Sequence, residues 1–505
     1  MLAKVLSSAV IGVDAFLVEV EVDIIAGLPN FTTVGLPDAA VKESKERVKA
    51  AVKNSGYTFP DDRITVNLAP AHIKKDGTGF DLPIALGIIS ATGIIAPQAL
   101  TDFLFLGELS LDGRIKPVCG SLPMALSARK AGYRGIMVPY ANRKEASVVK
   151  GLHVYAARSL AQVVEFLRGT RTLSMQIPAT DELLQAASDS MEDFSEVKGQ
   201  EHVKRAMEIA AAGAHNLLLM GPPGAGKTML ARRLASILPP LTFEEAIETT
   251  KIYSVVGMLH KDQALITERQ FRAPHHTISD AGLIGGGALP RPGEVSLAHN
   301  GVLFLDELPE FKKHVIEVLR QPLEDRCVTI SRAATSITYP SSFMLVAAMN
   351  PCPCGYATDA GQRCRCTSSQ IQRYRSKISG PLMDRIDMHV DVPAVSYQEL
   401  AGLPAAGESS VIRKRVIHAR QLQSERFHRD RIYCNAQMGN RHIRTHCILS
   451  SEADTMLQAA AEKFGLSVRA IFRILKMART IADLGREQNI GPAHLAEAIQ
   501  YRIPS

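Results

Sequence analysis

Three features that would narrow the class of protein are missing from this sequence. No apolar run reaches the roughly 20 residues that a helix needs to cross a bilayer, so we expect no membrane-spanning segment and no membrane partner. The N-terminus leads into an alternating, strand-like pattern rather than into a signal peptide, which favours a cytoplasmic protein. The sequence also contains no internal repeat and no low-complexity tract.

Cysteine is sparse, with eight residues in 505, and this excludes a disulfide framework. Four of the eight crowd together as Cys352, Cys354, Cys364 and Cys366. Four thiolates can close a tetrahedral zinc site, although the C-x-C spacing is less usual than C-x₂-C. Two interpretations stay open: a zinc site, or a cluster of reduced thiols in an ordered loop.

A strong charge imbalance is also missing, because the net charge is only +7. Such a mild excess permits nucleic acid as a partner without requiring it. The excess is local: the stretch from Val411 to His446 holds nine lysine and arginine residues against Glu425 and Asp430. That stretch either contacts DNA phosphates or forms a solvated helix face.

The pattern of apolar residues predicts an α/β protein with several domains, since 505 residues exceed what one core normally organises. Residues 1–170 indicate an α/β domain, and Val18–Ile24 alternates strictly, as a half-buried strand does. We expect a linker over residues 171–195 and a second α/β domain over 196–393. Residues 394–505 are predicted to be mostly helical.

A phosphate-binding loop follows the apolar strand Leu217–Met220 and precedes a helical pattern. The glycines let consecutive backbone N–H groups face one anion, at the N-terminus of the next helix. Lys227 is expected to reach the β- and γ-phosphates of ATP, and Thr228 to place its hydroxyl on Mg²⁺. The residues of the loop are Gly221, Pro222, Pro223, Gly224, Ala225, Gly226, Lys227 and Thr228.

Two further strand patterns end in polar residues. Gly301–Leu305 ends in Asp306 and Glu307, and Met344–Met349 ends in Asn350. In a parallel sheet these ends lie beside the phosphate loop. Asp306 is expected to hold Mg²⁺, Glu307 to polarise the attacking water, and Asn350 to orient that water.

A β-hairpin is predicted between these two strands. Residues 327–339 alternate on both sides of Ser331–Ala334, which places Arg332 at the tip. The hairpin is either a site of nucleic acid contact or a solvated hairpin without such a role.

With these motifs in hand, the chain resembles the AAA+ ATPases related to the ATPase subunit of magnesium chelatase, and most of all the ComM/YifB family. The resemblance covers essentially the whole chain. Among its signature segments are Phe271–Ile278, Gly293–Asn300, Ile378–Asp387 and Ser467–Asp483, and Val197–Gln200 resembles the adenine-side segment.

The resemblance implies roles for three polar residues. Asn350 is implied to sense the water, Arg385 to be the arginine finger supplied to a neighbouring subunit, and Arg469 to be the second sensor on a lid helix. An arginine finger stabilises transition-state charge, so the active form is expected to be an oligomer.

The function implied is that of an ATP-driven homo-hexameric motor, with helicase or branch-migration activity on single-stranded or branched DNA, in natural transformation or recombination. In related rings such a hairpin points into the central channel, which makes Arg332 the DNA-contact candidate. The alternative is a chelatase-type ATPase that remodels a protein partner.

The N-terminal domain resembles the proteolytic domain of Lon, with two departures. Gly79 stands in the place of the serine nucleophile, and Leu122 in that of the dyad lysine. Without hydroxyl and amine there is no activated nucleophile. We therefore expect a Lon-like fold without peptidase activity, followed by a P-loop domain and a helical lid.

Overall fold

The structure is a computed structural model that describes most of the chain. The described residues are 1–75, 77–176, 193–197, 199–260, 263–287, 290–332, 335–357, 364–394, 409–430 and 432–502. Most of the predicted linker, residues 177–192, lies outside them. The chain divides into two compact units, one of Met1–Ala187 with Thr242–Thr267, the other of Ser188–Leu241 with Glu268–Ser505. The predicted boundaries at 170, 195 and 393 stay predictions.

The first unit is built on a mixed eight-stranded sheet. Val18, Val20 and Val22 are fully buried, as the alternation predicted, and they pack with the wholly buried helix Asp81–Ala91. In spatial order the strands are Met175–Gln176, His153–Ala157, Gly135–Pro139, Phe103–Phe105, Leu2–Ile11, Asp14–Ile25, Arg63–Ala69 and Asn30–Val34. A separate pair joins Glu108–Leu109 to Ile115–Lys116. The other α-helices that the structure describes before residue 177 are Ala39–Lys42, Ser44–Asn54, Ser121–Lys130, Arg143–Ser147 and Leu160–Leu167.

The first unit also includes a helix from much later in the chain, Phe243–Val256. Thr242 and Glu245 form a capping box at its start, and Gly257 ends it with φ of +72°. The Ser254 carbonyl accepts a hydrogen bond of 3.0 Å from the Gly120 amide, and the Ser254 hydroxyl donates to the buried carboxylate of Glu145. These contacts tie the helix to the N-terminal part of the chain.

The second unit contains a five-stranded, wholly parallel sheet. Its strands, in spatial order, are Phe271–Arg272, Val302–Leu305, Met344–Met349, Leu217–Met220 and Met388–Asp391. Residues of the three central strands are almost completely buried, which suits a sheet covered on both faces. Two hairpins stand apart from this sheet: Gly285–Gly286 with Arg291–Pro292, and Cys327–Arg332 with Thr335–Pro340.

The remaining α-helices that the structure describes belong to the second unit. Those before residue 394 are Glu201–Gly213, Lys227–Ile237, Asp280–Ile284, Glu294–Leu297, Lys313–Glu317, Arg320–Asp325, Ser368–Arg375 and Gly380–Met383. Those of the C-terminal part are Ser409–Arg426, Asn440–His446, Ser451–Phe464, Val468–Leu484 and Pro492–Gln500. The α/β class and the helical C-terminus are therefore as predicted. Among the described helices, none is both long enough and apolar enough to cross a membrane.

The basic stretch of the C-terminal part is partly used inside the fold. Arg415 pairs with Glu208 at 2.5 Å and Arg426 with Asp483 at 2.5 Å. The Arg420 guanidinium donates to the carbonyl of Ala211. These three arginines are therefore engaged in contacts within their own unit, and the two interpretations of the stretch as a whole stay open.

Candidate functional site

The polar ends of three parallel strands meet at one edge of the second unit's sheet. The strand Leu217–Met220 lies next to Met344–Met349, which in turn lies next to Val302–Leu305. The first strand leads into the phosphate loop, and the other two lead into Asn350 and Asp306. The topology therefore brings together residues that are far apart in sequence, at the sheet edge where ligands bind.

The phosphate loop has the backbone that its glycines allow. Gly226 has φ of +84° and directly precedes the helix Lys227–Ile237, whose N-terminus attracts anions. A Cβ at Gly221 would lie 2.1 Å from the carbonyl oxygen of Val392, so only glycine fits there. Gly224 also has a positive φ, of +79°, so the loop depends on glycine for left-handed backbone at two positions and for close packing at Gly221.

Lys227 is buried, and its amine is fixed by three acceptors. Nζ donates to the carbonyl oxygens of Gly221 at 2.7 Å and Pro222 at 2.9 Å, and to Asn350 Oδ1 at 3.0 Å. Burial lowers the pKa of Lys227, and the charges of Asp306 and Glu307 oppose this effect. The contact between Lys227 and Asn350 places the implied water sensor beside the phosphate-binding amine.

Two oxygen ligands for a hard cation lie side by side. The Thr228 hydroxyl donates to Asp306 Oδ2 at 2.6 Å, and the Glu307 amide donates to Asp306 Oδ1 at 2.9 Å. Carboxylate and hydroxyl oxygens suit Mg²⁺, which commonly bridges protein oxygens to phosphates. Glu307 is exposed and has φ of +51°, a conformation that non-glycine residues adopt mainly where surrounding structure imposes it, often at functional sites.

Sequence reasoning gave no role to one residue at this edge, His276. Its Nδ1 lies 3.9 Å from Glu307 Oε2, and its ring meets Phe311 edge-on at 6.3 Å. Both histidines of the signature segment line a pocket of about 280 Å³ with Thr228 and Asp306. The segment Phe271–Ile278 carries part of the family resemblance. Its histidines lie beside Asp306 and Glu307 only because the tertiary fold brings these distant parts of the chain together.

The two arginines implied to act on ATP lie together at a different place in the unit. Arg385 is 5% exposed and its Nη2 lies 2.5 Å from Glu324 Oε1. Arg469, which is 64% exposed, approaches the same oxygen at 3.8 Å. Neither is among the residues that line the pocket around Asp306. The arrangement is compatible with action on a nucleotide held by another subunit, as the resemblance implies for Arg385.

The predicted hairpin is present, with Arg332 exposed as the last residue of its first strand. Residues 333–334, at the turn, lie outside the described residues. Arg332 Nε donates to the carbonyl of Gly287 at 3.3 Å, and the Tyr339 hydroxyl donates to the carbonyl of Pro290 at 2.6 Å. These bonds link the described residues of this hairpin to Gly287 and Pro290 of the other hairpin.

The four clustered cysteines converge. Their sulfur atoms all lie within 4.8 Å of one another, with Cys352 Sγ 3.3 Å from Cys354 Sγ and 3.8 Å from Cys364 Sγ. A tetrahedral zinc with Zn–S bonds of about 2.3 Å requires sulfur separations of about 3.8 Å. Hydrogen bonds from the Tyr356 and Arg365 amides, together with Cys352, lower the pKa of Cys354 to about 6. The donor set and its spacing fit a zinc ion.

The first unit has no serine and lysine at the positions of the Lon dyad. A Cβ at Gly79 would meet only Val118 Cγ1, at 3.7 Å, so the position has room for a side chain that is absent. Leu122 is fully buried in the helix Ser121–Lys130, and its amide donates to Glu145. The absence of peptidase activity stays a prediction from these two residues.

The fold and the loop define the protein as a P-loop nucleotide-binding protein of the α/β class. Three family models match the chain: "Magnesium chelatase, subunit ChlI" over residues 193–400, "Subunit ChlI of Mg-chelatase" over 20–142, and "Magnesium chelatase, subunit ChlI C-terminal" over 406–502.

Among curated relatives, the chain is 45% identical to "Competence protein ComM" of Haemophilus influenzae, over 99% of this chain and 97% of the relative. It is 44% identical to YifB of Escherichia coli over the same shares. A shorter match, 31% identical over 34% of this chain and 31% of the relative, is to "Lon protease 2" of Bacillus subtilis. The chain therefore belongs to the ComM/YifB family of magnesium-chelatase-like AAA+ proteins, a class that implies ATP hydrolysis with Mg²⁺.

Proposed function

We propose that this protein is an ATP-driven, homo-hexameric motor that translocates on DNA and drives helicase or branch-migration activity, in natural transformation or recombination. The observation that carries the proposal is the exposed Arg332 at the end of its hairpin strand, in a hairpin that is followed along the chain by the strand leading into Asn350. The name of the Haemophilus relative, a competence protein, supports a role in DNA uptake.

In this proposal the phosphate loop holds ATP, with Lys227 on the β- and γ-phosphates and Thr228 and Asp306 on Mg²⁺. The ion neutralises phosphate charge in the reaction. Glu307 accepts a proton from the attacking water, and Asn350 holds that water in line. Arg385 stabilises charge on the γ-phosphate of a neighbouring subunit, and Arg469 acts on the γ-phosphate as the second sensor. A movement of the hairpin, linked through the strand to Asn350, then displaces the DNA backbone.

The test is the ATPase rate without DNA and with single-stranded, duplex and branched DNA. We expect stimulation that weakens steeply with added salt, because phosphate contacts release counterions. Arg332→Ala should reduce the stimulation and leave the basal rate unchanged. Arg114→Ala removes the same charge from an exposed site in the other unit and should leave the stimulation intact.

An ATPase that ignores every DNA structure would contradict the proposal. It would favour the alternative, an ATPase that remodels a protein partner. The magnesium-chelatase models that match most of the chain are the observation in favour of that alternative.

We also propose that Cys352, Cys354, Cys364 and Cys366 bind one structural Zn²⁺. Cys352 and Cys354 follow Asn350 almost directly, so the ion would stabilise the chain at the end of the strand Met344–Met349, the sensor strand. Purified protein should contain about one zinc per chain by elemental analysis. Cys364→Ser should lose it, while Cys327→Ser, which changes a cysteine outside the cluster, should keep it. Zinc-free wild-type protein that titrates four more thiols than a variant with all four cluster cysteines changed to serine would show that the cluster is a group of reduced cysteines.

A further inference from the structure

One acidic residue contacts both arginines that the proposed mechanism assigns to the γ-phosphate. Glu324 lies near the end of the short helix Arg320–Asp325, and its carboxylate is about half exposed. A single oxygen, Oε1, lies 2.5 Å from Arg385 Nη2 and 3.8 Å from Arg469 Nη2. The hydrogen bond from Arg385 lowers the pKa of Glu324, so the carboxylate is ionised at neutral pH.

The guanidinium of Arg385 is only partly satisfied in this position. Its Nη1 donates to the carbonyl of Pro381 at 2.7 Å, while its buried Nε finds no hydrogen-bond partner among the described residues. The side chain nevertheless lines a surface pocket of about 480 Å³ together with Glu324 and Glu317. Arg385 is therefore held by one half-exposed carboxylate and one carbonyl, at the edge of an open space.

The charges of this group allow a phosphate to replace the Glu324 carboxylate as the partner of the two arginines. Two guanidinium groups share one carboxylate, so the group of three keeps a net positive charge. A phosphate offers more negative charge and more acceptor oxygens than a carboxylate, and arginine binds both in the same forked geometry. An arginine that stabilises a transferring phosphate must first leave the carboxylate, so Glu324 competes with the nucleotide.

Glu324 is also close to the proposed DNA-contact hairpin. The first hairpin strand begins at Cys327, and its residues Val328 and Thr329 line the same pocket as Glu324 and Arg385. Only Asp325 and Arg326 separate Glu324 from that strand. A displacement of the hairpin by DNA would therefore move the carboxylate that holds the arginines.

We propose that Glu324 is a positioning residue that stores Arg385 and Arg469 away from the γ-phosphate, and that movement of the Arg332 hairpin on DNA releases them. The inference rests on the proposed function, because it needs Arg385 to act on a neighbour's nucleotide. It adds a device by which DNA controls hydrolysis through an acidic side chain outside the nucleotide site.

The test is steady-state ATP hydrolysis by Glu324→Gln, with and without DNA. The amide keeps the size of the side chain and removes the competing charge. We expect basal kcat to rise by about two- to five-fold, the range that a half-exposed ion pair can supply, with little change in KM for ATP. The ratio of DNA-stimulated to basal rate should fall by a similar factor. Glu324→Asp keeps the negative charge and should therefore have a basal ATPase rate close to that of the wild type.

Glu317→Gln is the matched control, because Glu317 lines the same pocket but pairs with Arg320 at 3.4 Å. It should leave both rates unchanged. The double variant Glu324→Gln with Arg385→Ala should be as slow as Arg385→Ala alone, since the gain depends on a released arginine. The size of the assembly, measured at the same protein concentration, should be the same in Glu324→Gln and wild type.

The results separate the two proposals. A normal or reduced basal rate in Glu324→Gln, beside a slow Arg385→Ala, would overturn the storage role and leave the motor intact. A rise explained by a larger assembled fraction would overturn it as well. A fully active Arg385→Ala would instead show that the proposed function itself is wrong at this residue.

Discussion

At the scale of single residues, the nucleotide site divides binding from chemistry. Lys227 is buried and points its amine at the phosphate loop, whereas Glu307 is exposed and follows the strand Val302–Leu305, which is separated from the loop's own strand by Met344–Met349. In the proposed mechanism, removing Lys227 takes away the charge that holds the β- and γ-phosphates, and neutralising Glu307 takes away the group that activates water.

We therefore predict different effects for the two substitutions. Lys227→Ala should lose ATP binding and turnover together. Glu307→Gln should bind ATP with near wild-type affinity and hydrolyse it about 100-fold more slowly, the usual scale of a missing general base. A fluorescent ATP analogue measures binding, and phosphate release measures turnover. Equal loss of binding in both variants would assign Glu307 a structural role instead.

The residues that sequence reasoning located are those whose roles depend on local geometry. A glycine-rich turn between a strand and a helix specifies Lys227 and Thr228 within a few positions, and an apolar strand that ends in two acidic residues specifies Asp306 and Glu307. His276 and Glu324 were not predicted, because their contacts join segments that only the tertiary fold brings together. A lone histidine or glutamate carries no pattern that periodicity could detect.

At the scale of helices and strands, too, features set by local sequence were predictable and contacts between distant segments were not. The strand containing Val18, the sensor strand and the hairpin with Arg332 follow from alternation and burial within one segment. The sequence did not predict that the helix Phe243–Val256 belongs to the first unit, because the residues it contacts, such as Gly120 and Glu145, lie much earlier in the chain.

We predict that a disulfide can be engineered between this helix and its partners. A Cβ built at Gly257 lies 2.9 Å from Cys119 Sγ. In a disulfide the β-carbon lies about 3 Å from the partner sulfur, as follows from an S–S bond of about 2.05 Å. Gly257→Cys should therefore cross-link to Cys119 under mild oxidation, as shown by a mobility shift without reductant and by the linked peptides in mass spectrometry.

Two controls accompany the cross-link. Cys119→Ser in the same background should abolish the shift. Gly257→Ala should show how much the left-handed backbone at this position, with φ of +72°, costs in thermal stability without a cross-link, on the order of 1 kcal/mol. Failure of Gly257→Cys to cross-link, despite normal folding, would argue against the assignment of the helix to the first unit.

At the scale of the whole molecule, the proposed active form is an assembly in which one subunit completes the site of the next. Arg385→Ala should still bind ATP and assemble, but hydrolyse ATP roughly 1,000-fold more slowly, the scale of a missing arginine finger. Mixing it with Lys227→Ala protein should restore part of the activity, because some interfaces then combine an intact loop with an intact finger. ATP turnover across mixing ratios provides the measurement, and no recovery at any ratio would place Arg385 in a purely intramolecular pair with Glu324.

The division of the chain between its two units has a consequence for proteolysis. The polypeptide passes between the units near residues 187, 241 and 267, so the C-terminal portion supplies the helix Phe243–Val256 to the fold of the N-terminal portion. A single cleavage of the backbone between residues 177 and 192 would give two fragments that remain associated without a covalent bond. The smaller, N-terminal fragment would stay bound to the larger fragment, because the larger fragment contains the helix Phe243–Val256 that packs in its fold. The cleaved protein would therefore elute from a size-exclusion column as one species.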